Sequence, residues 1–427
     1  MKQIKLILNL NMFRKRCAMN WKQIRGFITD FIYGAFGLVV MNVIMQFFVN
    51  RLVINHLGAA EGGVYLYVTA IITLIGTGIG CGASYARMVE SNKQKTINGD
   101  YNLFLLCGGA VGMLVLLVGM LAQGIFVPKQ YLLTCLLFFV TMLRYYGDVE
   151  FRLKVNYKGF LLYYLLISAG YLAGYFCYQF THNWVLVLLP GELLALLYVV
   201  IRGEIYTNPV WKQSPRVKEN CKTMLTLSVS EFLSNFVSYM DRILVPFIAG
   251  DEANTLYYIA TLLGKTMALL TTPLNGVIIG HLARYKGGIK KSRYLQLTML
   301  LLAAAAVVSG VSVLASHIVI YFLYPTLYDS VKQMFWVANA SQVLFFISNT
   351  QMVVVLRFGN EKYQLYLGVI YTVLFFLIAV PALYFWKLWG LAYSMLAING
   401  AKFLIITGMG WYHLVRYGAS GAEIKGD

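Results

Sequence analysis

Twelve stretches of predominantly apolar residues run through this 427-residue chain, at approximately 27–50, 64–84, 101–125, 130–149, 159–180, 185–201, 223–249, 256–281, 294–323, 331–356, 365–386 and 389–414. An α-helix rises 1.5 Å per residue, so about 20 residues cross a hydrocarbon core of about 30 Å. The composition agrees: 59% of residues are hydrophobic and 12% are charged, where a soluble domain has about a quarter charged. Long apolar runs with little alternation favour helices over barrel strands. The expected fold is therefore an all-α polytopic membrane protein of about twelve transmembrane helices.

The formal charge of +18 is a topology signal rather than a nucleic-acid footprint, because the basic residues sit in short runs between apolar stretches. With both termini placed in the cytoplasm, the inside segments hold 27 of the 35 Lys and Arg. The outside loops hold four (Arg51, Lys129, Lys332, Lys387), and four lie within spans (Arg144, Arg242, Lys265, Lys402). Asymmetry of this size orients a polytopic chain and brings its basic face against anionic lipid. The chain then divides into a basic tail (1–26), a six-helix bundle (27–201), a cytoplasmic linker (202–222), a second six-helix bundle (223–414) and a short tail (415–427). The apolar patch Ile4–Leu10 is too short to span, no small-residue cleavage site follows it, and Met19 opens a more conventional start.

Enzyme, metal and cofactor chemistry find little support. The six cysteines (Cys17, Cys81, Cys107, Cys135, Cys177, Cys221) have no CxxC spacing, and the five histidines make no HExxH or HxxH. Gly264-Lys265-Thr266 looks like the end of a phosphate-binding loop, but Ile259 stands where that motif needs glycine, and the tripeptide lies within a span. The outer loops are short, and their acids (Glu61, Asp251, Glu252, Asp329) form no DxD pair. No cofactor, metal or nucleic-acid partner is expected.

A weak repeat joins the ends of spans 1 and 7. Asn50-Arg51-Leu52 is followed by Gly58 and Tyr65, and Asp241-Arg242-Ile243 by Gly250 and Tyr257. Six spans follow each start, so the chain reads as two pseudo-symmetric halves around a central cavity, a transporter architecture.

The stretches FVNRLVINHLGAAEGGVYLYVTAIITLIGTGIGCGASYARMVESNKQK and SEFLSNFVSYMDRILVPFIAGDEANTLYYIATLLGK resemble the first two and the seventh and eighth helices of polysaccharide flippases. These are O-antigen and teichoic-acid type carriers of the multidrug/oligosaccharidyl-lipid/polysaccharide exporter superfamily. Asp241, Arg242, Gly250 and Tyr257 carry the second match. The span layout fits over nearly the whole chain and the motifs over about a fifth of it. One departure is that Gly63 precedes Val64-Tyr65 whereas Thr255 holds the matching place in the second half. The resemblance implies translocation of undecaprenyl-pyrophosphate-linked oligosaccharide across a bacterial cytoplasmic membrane. It also implies membrane lipids as surroundings, and a polysaccharide polymerase and glycosyltransferases as pathway partners. A multidrug or cation antiporter of the same superfamily is the alternative. A fourteen-span lipid II flippase and a membrane polymerase or acyltransferase are further rivals.

The intramembrane polar residues mark the expected site, since a charge at the bilayer centre costs at least about 2.5–3.5 kcal/mol. On span 7, Ser228, Glu231, Ser234, Asn235, Ser238, Asp241 and Arg242 share one helix face, which lipid does not tolerate. Thr261, Lys265, Thr272 and Asn275 form a shorter stripe on span 8. Depth counting at 1.5 Å per residue places Glu231 and Lys265 near one another at the midplane. The expected substrate cavity comprises Glu231, Asn235, Ser238, Asp241, Arg242, Lys265 and Lys402, with Arg51 at its mouth. Asp30, Glu192 and Glu231 are candidates for ion coupling. Several of these residues have blander readings. Arg144 and Asp148 read as a local i, i+4 pair, and Asp241-Arg242 as a structural ion pair at the outer mouth. Glu192, beside Pro190-Gly191, either caps a broken helix or titrates. The Asn and Gln of spans 10 (Asn339, Gln342, Asn349) and 12 (Asn399) read equally as bonds between helices.

Overall fold

A computed structural model describes residues 21–91, 96–207, 210–266, 289–358 and 362–417. The first 20 residues, most of the C-terminal tail, and Thr272, Pro273 and Asn275 of span 8 lie outside them. The side chain of Asp30 is likewise outside the description, although its backbone is helical.

Helix α1 runs over Trp21–Val43, continues through a π-helical stretch Ile44–Val49, and reaches residue 57. It is broken from α2 (59–91) at Gly58, whose φ of 81° a side chain would oppose. Helices α3 (Asn98–Ala122) and α4 (Pro128–Gly147) follow, with Pro128 in the first turn of α4, where the missing N–H has no intrahelical acceptor. A short helix, Val149–Leu153, leads to α5 (Tyr157–Thr181). Asn156 caps α5 by accepting the Gly159 N–H at 2.9 Å. Then come α6 (Val185–Arg202), α7 (Val217–Ala249), α8 (Asp251–Thr266), α9 (Lys291–Leu323) and α10 (Phe335–Phe358). Helix α11 begins at Lys362–Leu374 and passes through a second π-helical stretch, Phe375–Ala379, to residue 386. That stretch lies just ahead of Pro381, which has no N–H to give to the preceding turn. The chain turns at Lys387 (φ 51°) into α12 (388–417).

Eight runs are long and apolar enough to cross a membrane, and those broken at Gly58 and Lys387 each contain two helices. With the more polar α7 and the 16 described residues of α8, the long helices number twelve among the described residues, matching the expected fold. The molecule is a multi-pass membrane protein whose outward faces are apolar: Leu114, Val118, Val307, Leu314, Leu377 and Leu404 are exposed, while Tyr65, Tyr101, Tyr163, Tyr257 and Tyr294 are buried. Bilayer solvent demands this arrangement, since packing between helices rather than escape from water holds such a bundle together.

Helices α1–α6 form one group, with α1 on α5, α2 on α4 and α5 on α6. Helices α8–α12 form another, with α10 against α8, α9 and α12, and α11 against α12. Helix α7 lies along α2 and ties the two groups together. Glycines make this possible. A Cβ at Gly76 or Gly80 would meet α4 at Met142 and Tyr145, and one at Gly78 or Gly82 would meet α7 at Phe232 and Ser228. Two interleaved pairs at i, i+4 therefore let α2 pack closely on both sides at once. Gly170 and Gly174 similarly admit the backbone of α6 at Gly191 and Val187.

The repeat inferred from the sequence has a structural counterpart. Gly58 (φ 81°, ψ 177°) and Gly250 (φ 95°, ψ 164°) adopt the same conformation, one at each helix break. Their neighbours meet about a pseudo-two-fold axis. Asn254 donates to the Gly63 carbonyl (3.0 Å), and Thr255 donates to the Ala59 carbonyl (2.7 Å). The departure at Gly63 is explained here: a Cβ would run into the Asp251 backbone, whereas Thr255 has room and a bond to make.

Candidate functional site

The polar face of α7 lies between the two groups, and its residues have different fates along the helix. At the basic end Ser228 is buried against Gly82 of α2. At the opposite end Asp241 is buried and forms an ion pair with Lys265 of α8, while its second oxygen accepts the Arg242 backbone N–H at 2.8 Å. Between these closed ends Ser234 and Ser238 are exposed, and Glu231 and Asn235 are half-buried. Asn235 spends its amide on the Glu231 carbonyl one turn back (2.9 Å).

Three expected pairings are thereby corrected. Lys265 pairs with Asp241 and not with Glu231, because the ammonium lies a full turn or more beyond the level of Glu231. Asp241 does not pair with the Arg242 side chain, since adjacent residues on a helix point about 100° apart. The Arg242 guanidinium instead lies 4.9 Å over the Tyr258 ring, and its Nε has no hydrogen-bond acceptor among the described residues. Arg144 does not pair with Asp148. It reaches across to Glu192 on α6 at 2.6 Å, while Asp148 takes Arg152 at 2.7 Å. Glu192 is therefore neither a helix cap nor a solvent-facing acid: Tyr171 donates to its other oxygen at 2.5 Å, inside the first six-helix group.

The far end, away from the basic loops, joins the two groups through side chains. Asn50 donates to the Tyr258 hydroxyl (2.7 Å) and accepts from Tyr65 (2.6 Å). Arg51 and Asn55 donate to the Leu323 carbonyl at 3.2 and 2.9 Å, satisfying the exposed C-terminus of α9. Gln123 at the end of α3 donates to Asp251 (3.0 Å), and Thr266 donates to Gln46 (3.1 Å) deeper in the bundle. Arg51, expected at the mouth of a cavity, is here a clasp between the two groups.

Lys402 is the other departure. Its ammonium is enclosed inside the second group, 3.8 Å from the Phe345 ring and 4.8 Å from the Tyr371 ring, and donates to Asn349 at 2.7 Å. It does not line an open cavity. Its neighbours form a hydrogen-bonded chain in which Tyr371 donates to Asn399 (2.8 Å) and Asn399 to Ser341 (2.9 Å). Asn339 likewise binds helices together through Ser316 (3.0 Å) and the Gly264 N–H (2.6 Å). The blander reading of the α10 and α12 amides therefore holds for Asn339 and Asn399.

At the basic end, Asp100 accepts bonds from the Ser214 N–H (2.8 Å), the Ser214 hydroxyl (2.5 Å) and Asn220 (2.7 Å), which clamps the linker and the start of α7 onto α3. Lys154 bridges Glu150 (2.7 Å) and Glu204 (2.8 Å) outside the membrane. Glu204 holds the Lys154 ammonium above its ordinary range, with Glu150 the larger cause, and Lys154 holds the Glu204 carboxyl below its own. The clamp and the aromatic cage had no signal in the sequence, because their members are separated by more than a hundred residues or lie on three different helices. Among the described residues no group of three His, Cys, Asp or Glu could hold a metal ion.

No family model matches the sequence, and no curated protein matches it. Solved structures do match, over nearly the whole chain. One is an inward-facing multidrug resistance MATE family transporter of the MOP superfamily (TM-score 0.63, 15% identity, 89% of this chain and 98% of that one). The outward-facing form of such a transporter aligns with a TM-score of 0.59 at 13% identity, over 90% of this chain and 95% of that one. A mutant of the Vibrio cholerae MATE transporter VcmN aligns with a TM-score of 0.58 at 14% identity, over 93% of this chain and 98% of that one. These neighbours are MATE transporters rather than polysaccharide flippases, and the fold of this chain is that of the MATE transporters of the MOP superfamily.

Proposed function

We propose that this protein is a secondary exporter that works by alternating access, with its basic end in the cytoplasm and the far end outside. The observation that carries this reading is the asymmetry of the bonds between the two groups. They are fastened at the far end by the pseudo-two-fold Gly58 and Gly250 turns and the Arg51 clasp, while the middle of the α7 polar face stays open. A polar face enclosed at both ends and accessible between them is what an exporter that opens to one side at a time would use to hold its cargo.

For the cargo, the MATE likeness favours multidrug or cation antiport over lipid-linked oligosaccharide. Glu231 is the acid such a cargo would meet, because it is half-buried on the open face and makes no ion pair among the described residues. The flippase reading keeps one specific support: among the described residues the Arg242 guanidinium makes no ion pair and its Nε has no acceptor, a donor that pyrophosphate recognition would use. Under that reading a polysaccharide polymerase and glycosyltransferases act in the same pathway.

Proteoliposomes under an imposed proton or sodium gradient distinguish the two. Uptake of ethidium that is abolished by Glu231→Gln and retained by Arg242→Gln supports cation antiport. No ethidium movement, together with Arg242-dependent flipping of a fluorescent undecaprenyl-pyrophosphate oligosaccharide, overturns it in favour of the flippase. Failure of both substrates overturns the export reading.

A further inference from the structure

The enclosed charges of this protein fall into distinct kinds. Most are paired with an opposite charge: Lys265 with Asp241, Arg144 with Glu192, Asp148 with Arg152, Glu150 with Lys154. Neutralising one member of such a pair strands the other in a low dielectric. Arg87 is held by neutral groups, Tyr146 and Asn98, but a guanidinium does not deprotonate. Asp100 is satisfied by three donors, the Ser214 N–H, the Ser214 hydroxyl and the Asn220 amide. Lys402 differs from all of these. It is 5% exposed, no described carboxylate lies within ion-pair reach, and its neighbours are two rings and one amide oxygen.

That environment accepts both protonation states. The ammonium gains attraction to the faces of Phe345 and Tyr371. The neutral amine keeps an N–H for Asn349 and leaves no buried counter-charge behind. The titratable groups around α12 among the described residues include Tyr371, with Asp241 on α7 within its electrostatic range, and, toward the basic end, Tyr294 on α9, Tyr363 on α11 and His413 on α12 itself. On α10 the groups bonded to α12 are Ser341 and Asn349, neither of which titrates. The cage joins three helices, since Lys402 is on α12, Phe345 and Asn349 on α10, and Tyr371 on α11. One turn beyond Tyr371 begins the π-helical stretch Phe375–Ala379, in which Phe376 packs against Phe236 on the polar helix α7 at 6.2 Å.

We propose that Lys402 is a proton-binding site, and that its proton sets the packing of α11 against α10 and α12 and, through Phe376, against α7. When protonated, the side chain draws Tyr371 and Phe345 together. Proton loss releases α11 along its π-helical segment. This deepens the transport reading by naming a coupling ion, but its test needs no substrate.

The test is hydrogen–deuterium exchange of the detergent-solubilised full chain, read on peptides from 366–386 and corrected for intrinsic exchange, between about pH 6 and pH 10. In the unmodified protein, exchange over α11 rises by roughly five- to tenfold with a single-proton transition, the size expected for losing desolvated cation–π contacts. K402M holds α11 at its high-pH exchange throughout, and K402R holds it at its low-pH exchange throughout. The same pH step in either variant overturns the proposal, as does a pH-independent α11 in the unmodified protein. Should K402M not fold, K402R alone decides. Loss of transport with the exchange step intact faults the export reading and not the proton site.

Discussion

Replacing Lys265 by Met tests the reassigned ion pair of the α7 face. Asp241 and Lys265 are in direct contact, and their side chains are 6% and 15% exposed. At an effective dielectric of about 20, two charges 4 Å apart attract by about 4 kcal/mol, and contact closer than that attracts more. Methionine fills the volume of the lysine stem but leaves the Asp241 carboxylate enclosed with the Arg242 N–H as its one donor among the described residues. Truncating one partner of a buried pair costs about 3–5 kcal/mol, chiefly as the desolvation of the charge left behind. For a chain of this size, with unfolding entropy near 2 cal/mol/K per residue, that is a fall in Tm of roughly 3–6 °C. The assay is thermal unfolding of four purified proteins: unmodified, K265M, D241N and the double variant. The double variant is expected to recover most of the loss, because neither charge then remains. A K265M protein within about 1 °C of the unmodified one, or a double variant whose loss is the sum of the singles, refutes the reasoning.

Three further outcomes follow from the same geometry. Arg51→Ala removes two bonds to the carbonyls that end α9 and is expected to weaken far-end closure by about 1–2 kcal/mol, read as faster labelling of a cysteine placed at Asn50. Unchanged labelling contradicts a clasp role. Asp100→Asn exchanges a charged acceptor of three bonds for an amide that brings its own donors beside Ser214 and Asn220. Release of the linker, seen as proteolytic cleavage within 203–216, is expected at a local cost of about 1.5–3 kcal/mol. The Lys154–Glu204 bridge is pH-limited on both sides. The raised ammonium contributes below its unfolded value near 10.4 and is lost as pH rises through its higher folded value. The lowered carboxyl contributes above its unfolded value near 4.3 and is lost as pH falls through its lower folded value. Backbone exchange at residues 203–207 is therefore expected to be slowest across the neutral range and to rise at both extremes, and Lys154→Met is expected to flatten this profile.

Much of the architecture was legible in the linear sequence. A bilayer leaves few solutions to an apolar run of some 20 residues, so twelve helices could be counted without knowing how they pack. Gly58 and Gly250 could be matched because a positive φ at a helix break needs glycine wherever it recurs. The glycines at 76, 78, 80 and 82 stand at alternate positions in the sequence, a run that permits close helix approach. What the sequence could not decide was which polar groups meet. The polar stripe of α7 was visible as a helix face, yet helical periodicity assigns an angle and a depth on one helix and says nothing of the side chains opposite. Depth alone put Lys265 beside Glu231, whereas the packing of α8 carries its ammonium to Asp241. Spacing alone put Arg144 beside Asp148, whereas the glycine-mediated approach of α5 and α6 places Glu192 and Tyr171 in reach from another helix. The caging of Lys402 needed three helices at once. In a bilayer the apolar surface fixes which segments span, because the solvent acts on each segment separately; the buried charges find their partners only after the helices associate, and that step belongs to the tertiary structure.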